Sequence, residues 1–280
     1  MIHLLDCSDT HEYDRWKVYK QVEGSFSGWS IIDVALSNDL KWVCYSGWCN
    51  DVALVNIYGD HELHEAHEIL AGRGRCCIFG VEFDPLSERL TCASSNGELT
   101  IYNIERKQRE CSWPNAHGDD VNQSTWLNEH IIVSGSDDGL IKVWDKRIDK
   151  HRACVGGFIG HYQGITCVSS CENKYILSNS KDQSMKLWDM RLINSVAECD
   201  GIAGELQNLT SQHDYRYRQW RRSAQHNNQK LRLDRSLQTY TGSHQVSTTL
   251  IRSDFSLLPP PHTSLFTAAP PTAACASMKL

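Results

Sequence analysis

The sequence predicts an all-β fold: an incomplete β-propeller of about four blades plus a partial strand set, followed by a non-propeller C-terminal tail. Three observations predict it. The segment SGSDDGLIKVWDKR, ending at Arg147, recurs 44 residues later as SNSKDQSMKLWDMR, ending at Arg191. Fainter copies lie upstream at intervals of about 40 to 50 residues, the period of four-stranded blades. Five of the seven prolines crowd into residues 259–271, where further strands would need backbone donors that proline lacks.

Composition permits such a fold and narrows its use. The 280 residues are 40% hydrophobic and 22% charged, ordinary values for a globular chain. A formal charge of -6 argues against a surface built wholly for nucleic acid. No run reaches the roughly 18 apolar residues of a membrane span, and MIHLLDCSDTHEYDRW lacks the cationic and apolar regions of a secretory signal. The expectation is residence in the nucleus and/or cytoplasm, with no membrane partner. Twelve cysteines then read as reduced thiols, many of them in strand-like runs such as WVCYSGWC.

Residues 1–252 read as the partial propeller. A first, partial unit over residues 1–10 carries Leu5-Asp6 where later copies carry Trp-Asp. The unit over 27–60 has Val55-Asn56 there, and the unit over 76–106 has Tyr102-Asn103. The units over 117–147 and 161–191 are the strong copies: His117 superposes on His161, Ser134 on Ser178, Asp138 on Asp182 and Trp144 on Trp188, each pair 44 apart. A basic insertion follows over 192–238, containing HDYRYRQWRRSAQHNNQKLRLDR. Its Arg216, Arg218, Arg221 and Arg222 interleave with aromatics, a composition that suits either a solvated loop or a nucleic-acid or partner contact. Residues 239–252 read as the stub of a further blade, and 253–280 as a Pro/Ala-rich irregular tail.

The spacing of Gly160-His161 to Trp188-Asp189, and of His117 to Trp144-Asp145, resembles the signature of WD-repeat propellers. That resemblance implies a hydrogen-bonded tetrad in each strong blade, His117, Ser134, Asp138 and Trp144, then His161, Ser178, Asp182 and Trp188. These eight are structural expectations, since buried polar groups need partners. Antiparallel strands put the loops that carry His and Asp on one face and the turns that carry Arg147 and Arg191 on the other.

Sites of chemistry are sparse. The histidines of HELHEAHEIL, at 61, 64 and 67, lack the i, i+4 spacing of a zinc helix and read as a polar inter-blade loop. Cys76-Cys77 and Cys167 with Cys171 lack a second pair at zinc spacing. AGRGRCC lacks the third glycine of a phosphate loop, and no Gly-x-Ser-x-Gly elbow occurs. Neither catalysis, nor a metal, nor a cofactor is expected.

The phrases GWSIIDVAL, VNIYGD, DDVNQSTW, SDDGLIKVWDKR, GHYQGIT, ILSNSKDQSMKLWDMR, HDYRYRQW and TLIR, in that order, resemble the WD-repeat substrate receptors of cullin-4 RING ubiquitin ligases over about residues 1 to 255. The resemblance implies a non-catalytic subunit that docks an adaptor, damaged-DNA-binding protein 1, and through it cullin-4. Docking would use the Trp-Asp-x-Arg boxes, here Asp145 with Arg147 and Asp189 with Arg191, while another surface presents an unnamed protein substrate. Leu5-Asp6-Cys7-Ser8 lacks the arginine and is not carried over. Against the family pattern the chain reads as a truncated or alternative form. A WD-repeat scaffold unrelated to ubiquitin ligases is the competing expectation.

Overall fold

The computed structural model describes residues 2–6, 17–24, 30–58, 64–70, 74, 76–211, 230–241, 251–255, 264–268 and 276–279. Among the described residues six antiparallel sheets follow one another along the chain. A two-stranded sheet comes first, β1 (Ile2–Asp6) with β2 (Lys17–Val22). Four four-stranded blades follow, each with strands a to d paired in sequence order. The first is β3 (Ile31–Leu36), β4 (Trp42–Gly47), β5 (Asp51–Asn56) and β6 (His64–Glu68). The second is β7 (Ile78–Phe83), β8 (Arg89–Ser94), β9 (Leu99–Asn103) and β10 (Gln108–Trp113). The third is β11 (Val121–Trp126), β12 (Ile131–Ser136), β13 (Ile141–Asp145) and β14 (Cys154–Phe158). The fourth is β15 (Ile165–Cys171), β16 (Tyr175–Ser180), β17 (Ser184–Asp189) and β18 (Gln238–Thr241).

The nearly all-β architecture agrees with the incomplete propeller expected from the sequence. Strands a of successive blades, β3, β7, β11 and β15, lie side by side, which makes them the inner row of the arc. Each carries a register shift at the same place, between Ile31 and Asp33, Ile78 and Gly80, Val121 and Gln123, and Ile165 and Cys167. A bulge increases local twist, and one per blade bends every inner strand alike.

Apolar side chains are buried between blades rather than within one. Cys44, Val52 and Leu54 of the first blade pack with Val81, Leu90 and Cys92 of the second. Val133, Ile141 and Val143 of the third pack with Val168, Ile176 and Trp188 of the fourth. This follows from strand alternation, which gives each sheet two faces that both need cover. An aromatic on strand d also stacks on the next blade's tryptophan: Trp113 on Trp144 with centroids 5.2 Å apart, Phe158 on Trp188 at 5.3 Å.

Several sequence expectations are corrected. Each unit delimited from the repeat stops before its fourth strand, because strands d lack the Trp-Asp landmark. His64 and His67 sit on β6, so that stretch is a blade strand and not a loop; His61 lies outside the described residues. The imidazole of His67 is buried, 3.1 Å from the Tyr102 hydroxyl, and that of His64 is 2.9 Å from the Tyr45 hydroxyl.

The described ends of the insertion pack onto the blades. Its start forms a 3-10 turn, Met190–Leu192, and then helix α1 (Val196–Ser211). Ser195 caps the helix by accepting from Glu198 N at 3.3 Å, while the Glu198 carboxylate accepts from Ser195 N at 2.7 Å. Cys199, Ile202 and Leu206 recur at helical spacing and bury against Leu140 and Ile159. Just before the helix, Asn194 exchanges two backbone hydrogen bonds with Gly157 and so covers the outer edge of β14. A Cβ at Gly157 would collide with the Ile141 carbonyl oxygen, so glycine is required at that approach.

Residues 238–241, assigned from sequence partly to the insertion and partly to the stub, complete the fourth blade as β18. The tail likewise holds strands: β19 (Ser253–Phe255), β20 (Ser264–Ala268) and β21 (Ala276–Lys279) form a three-stranded sheet. The five prolines fall in sequence between these segments and lie outside the described residues.

Candidate functional site

The two faces of the blades are fixed by short backbone hydrogen bonds between turns. Ile57 N donates to Lys41 O, Ile104 N to Glu88 O, Lys146 N to His130 O and Met190 N to Lys174 O. Every c–d turn is thereby tied to the a–b turn of its own blade, and both lie on one face. On the opposite face Ser95 N reaches Cys77 O, Asp137 N reaches Asp120 O and Lys181 N reaches Gly164 O, tying b–c turns to the loops before strand a.

The opposite face carries the tetrads. In the third blade Asp138 Oδ2 is 2.9 Å from His117 Nδ1, His117 Nε2 is 2.7 Å from Ser134 Oγ, and Trp144 Nε1 donates to Ser134 Oγ at 2.8 Å. In the fourth blade Asp182 Oδ2 is 3.1 Å from His161 Nδ1, His161 Nε2 is 2.7 Å from Ser178 Oγ, and Trp188 Nε1 donates to Ser178 Oγ at 2.8 Å. Proton bookkeeping gives each chain one direction with a neutral imidazole: indole N–H to serine, serine O–H to Nε2, Nδ1–H to carboxylate. Asp138 also accepts from Gly118 N and Leu140 N, and Asp182 from Tyr162 N and Ser184 N. Burial works against both charges, but the histidine and these donors prevail, holding Asp138 at about 2 and Asp182 lower still.

The other face carries Arg147 and Arg191. Asp145 terminates β13, and its Oδ1 accepts from Arg147 N at 3.0 Å and from Arg147 Nε at 2.9 Å, while Oδ2 accepts from Nη2 at 2.6 Å. Asp189 terminates β17 and repeats the arrangement: Oδ1 accepts from Arg191 N at 2.9 Å and Nε at 3.0 Å, Oδ2 from Nη2 at 2.5 Å. Each carboxylate is nearly buried, whereas the guanidinium side chains remain 60% and 72% exposed. The hydrogen bonds from Arg191 hold Asp189 down at about 2, and those from Arg147 lower Asp145 likewise.

A guanidinium has two edges able to grip a carboxylate or a pair of carbonyls. Here the Nε–Nη2 edge is taken by the chain's own aspartate, which fixes the side chain, and the Nη1–Nη2 edge is left open toward solvent. The strand ends of the weaker blades separate the two duties. Asn56 Oδ1 accepts from Tyr58 N at 2.8 Å and Asn103 Oδ1 from Arg106 N at 2.8 Å, so a side-chain oxygen closes the c–d turn by a backbone bond alone, with no guanidinium clamped to it. The aspartate belongs to the turn, and the arginine is an addition.

Arg216, Arg218, Arg221 and Arg222 lie outside the described residues. The return leg of the insertion was not singled out from sequence, yet Asp234 within it forms an ion pair with Lys186 of β17 at 2.8 Å. Lys186 recurs at the repeat offset as Lys142, but Asp234 lies in the non-repeating insertion, which is why sequence reading missed the pair. Among the described residues no group of three or more His, Cys, Asp or Glu side chains is arranged to hold a metal ion. No helix among them is long and apolar enough to cross a membrane. Burial raises the thiols of Cys77 and Cys199 to about 12, so both are protonated at neutral pH.

Comparison with known proteins gives two matches to the WD domain, G-beta repeat family, over residues 110–145 and 152–189, each running from strand d of one blade through strand c of the next and together covering strands a to c of the third and fourth blades. A DDB1- and CUL4-associated factor 11 homolog of Caenorhabditis elegans is 36% identical over 160 residues, covering 52% of this chain and 27% of that protein. The Caenorhabditis briggsae protein of the same name is 37% identical over 153 residues, covering 51% and 28%. A LEC14B homolog of Prunus armeniaca is 34% identical over 168 residues, covering 55% and 35%. The chain thus matches about a third or less of the length of these relatives.

Proposed function

We propose that this chain acts as a substrate-recognition subunit of a cullin-4 RING ubiquitin ligase, docking the adaptor damaged-DNA-binding protein 1 through Arg147 and Arg191. The carrying observation is the pair of exposed guanidiniums, each clamped by its own aspartate with one edge left open, at equivalent places on adjacent blades. The printed names of the nematode relatives support the same reading. In it, Asp145 and Asp189 hold the arginines in one orientation, which reduces the side-chain entropy lost on docking. The open edges meet carboxylates or carbonyls of the adaptor, and the opposite face is left for a protein substrate. The subunit contributes binding, and ubiquitin chemistry is done elsewhere in the assembly.

Capture of the tagged chain from cells, followed by mass spectrometry, tests this. Recovery of adaptor and cullin-4 peptides is the expected result. Their absence from clean data favours the second reading, a WD-repeat scaffold outside the ligase system.

A further inference from the structure

Turns of a β-protein are normally polar, because their backbone and side chains meet water. The face that carries Arg147 and Arg191 departs from this. Fourteen large hydrophobic side chains are exposed among the described residues. Five of them, Leu40, Tyr58, Leu86, Ile148 and Leu192, stand on a–b or c–d turns, whereas b–c turns of the other face carry only Trp48. Apolar anchors beside arginines recur in protein interfaces, whose rims stay polar and charged.

Two of the five are tied to the arginines by position. Ile148 follows Arg147 directly and Leu192 follows Arg191, and these side chains are 41% and 42% exposed. In the copies without arginine the aliphatic residue is missing too: Ser8 is followed by Asp9, Tyr58 by Gly59 and Glu105 by Arg106. The fold therefore does not ask for an aliphatic residue there, just as it does not ask for the arginine. Ile148 shares with Arg147, Lys146 and Cys111 the walls of a recess of about 390 Å3. The aspartate clamp sets the direction of the open edge of Arg147, and the turn that follows carries Ile148 next to it. Leu192 closes the 3-10 turn that Asp189 caps through Arg191 N, so the second box has the same short tether between charge and apolar anchor.

We infer that the docking element in each blade is five residues long, Trp-Asp-x-Arg-aliphatic, and that Ile148 and Leu192 are buried by the same partner that engages the two arginines. The inference rests on the adaptor reading and specifies its chemistry. The partner surface presents, twice, an apolar pocket bordered by a carboxylate or by backbone carbonyls. The apolar contact excludes water from the guanidinium, which strengthens the charged hydrogen bond beside it.

The test is binding of the full chain to purified damaged-DNA-binding protein 1, comparing the parent with the Ile148→Ser, Leu192→Ser pair and the Arg147→Ala, Arg191→Ala pair. The expected result is at least a tenfold loss of affinity for the serine pair with an unchanged thermal midpoint. Parent-like affinity of the serine pair, when the alanine pair has lost binding, overturns the five-residue element and leaves the adaptor reading standing. No binding by the parent chain overturns both. Where the serine pair also unfolds at lower temperature, hydrogen exchange on the parent decides: slower exchange over 145–150 and 189–193 on adding the adaptor supports the inference, and unchanged exchange there contradicts it.

Discussion

Lys186 Nζ and Asp234 Oδ2 meet at 2.8 Å with side chains only 3% and 1% exposed, joining a blade strand to an insertion residue 48 positions further along the chain. Lys186 also donates to Thr239 Oγ1 at 2.8 Å, on the strand that closes the blade. Removing one partner strands a buried charge, so Asp234→Ala is expected to cost about 3 to 5 kcal/mol. Lys186→Met with Asp234→Leu should cost far less, since neither charge is then left alone. Chemical denaturation of the three proteins checks the order.

The tetrad of the fourth blade gives a second prediction. Asp182 accepts from an imidazole, two backbone N–H groups and the Ser184 hydroxyl, all buried. Asp182→Ala leaves those donors without an acceptor, at about 1 to 3 kcal/mol for an unmet buried group. A lower thermal midpoint is the expected outcome; an unchanged one removes the tetrad's structural role in that blade.

Stability against acid follows from the same carboxylates. Asp138 and Asp182 have folded-state values below their ordinary 3.8, so the ionised form is favoured by folding. Their contribution is complete above about pH 5 and is lost as pH falls through each folded value, about 2 for Asp138 and lower for Asp182, with each such group supplying roughly 2 kcal/mol or more. The unfolding free energy, followed from pH 5 to 2, should fall over that window, and the slope should be shallower in Asp182→Asn.

How much of this was legible in the sequence depended on whether a residue repeats. Trp144 and Trp188 announce their blades because an indole that fills a core and bonds a serine tolerates few replacements, so period and tetrads could be read together. Strands d carry no such residue; β6, β10 and β18 are set by pairing with a neighbour, and pairing leaves no mark on a single strand. Helix α1 was missed because Arg- and Asn-rich sequence downstream masked its short apolar stripe of Cys199, Ile202 and Leu206. The arginines were found from sequence as residues the fold does not require. Their open edges were not, since the clamp depends on the rotamers of Asp145 and Asp189.

The most direct test of the account is co-purification of damaged-DNA-binding protein 1 with the Arg147→Ala, Arg191→Ala double variant. Asn56 and Asn103 close their c–d turns through backbone donors without a guanidinium clamp, so the thermal midpoint should stay near that of the parent chain. Interface arginines commonly contribute 2 kcal/mol or more each, so the loss of two should abolish recovery of the adaptor. Adaptor recovered at the parent level by a variant that is fully folded would contradict the account at its centre.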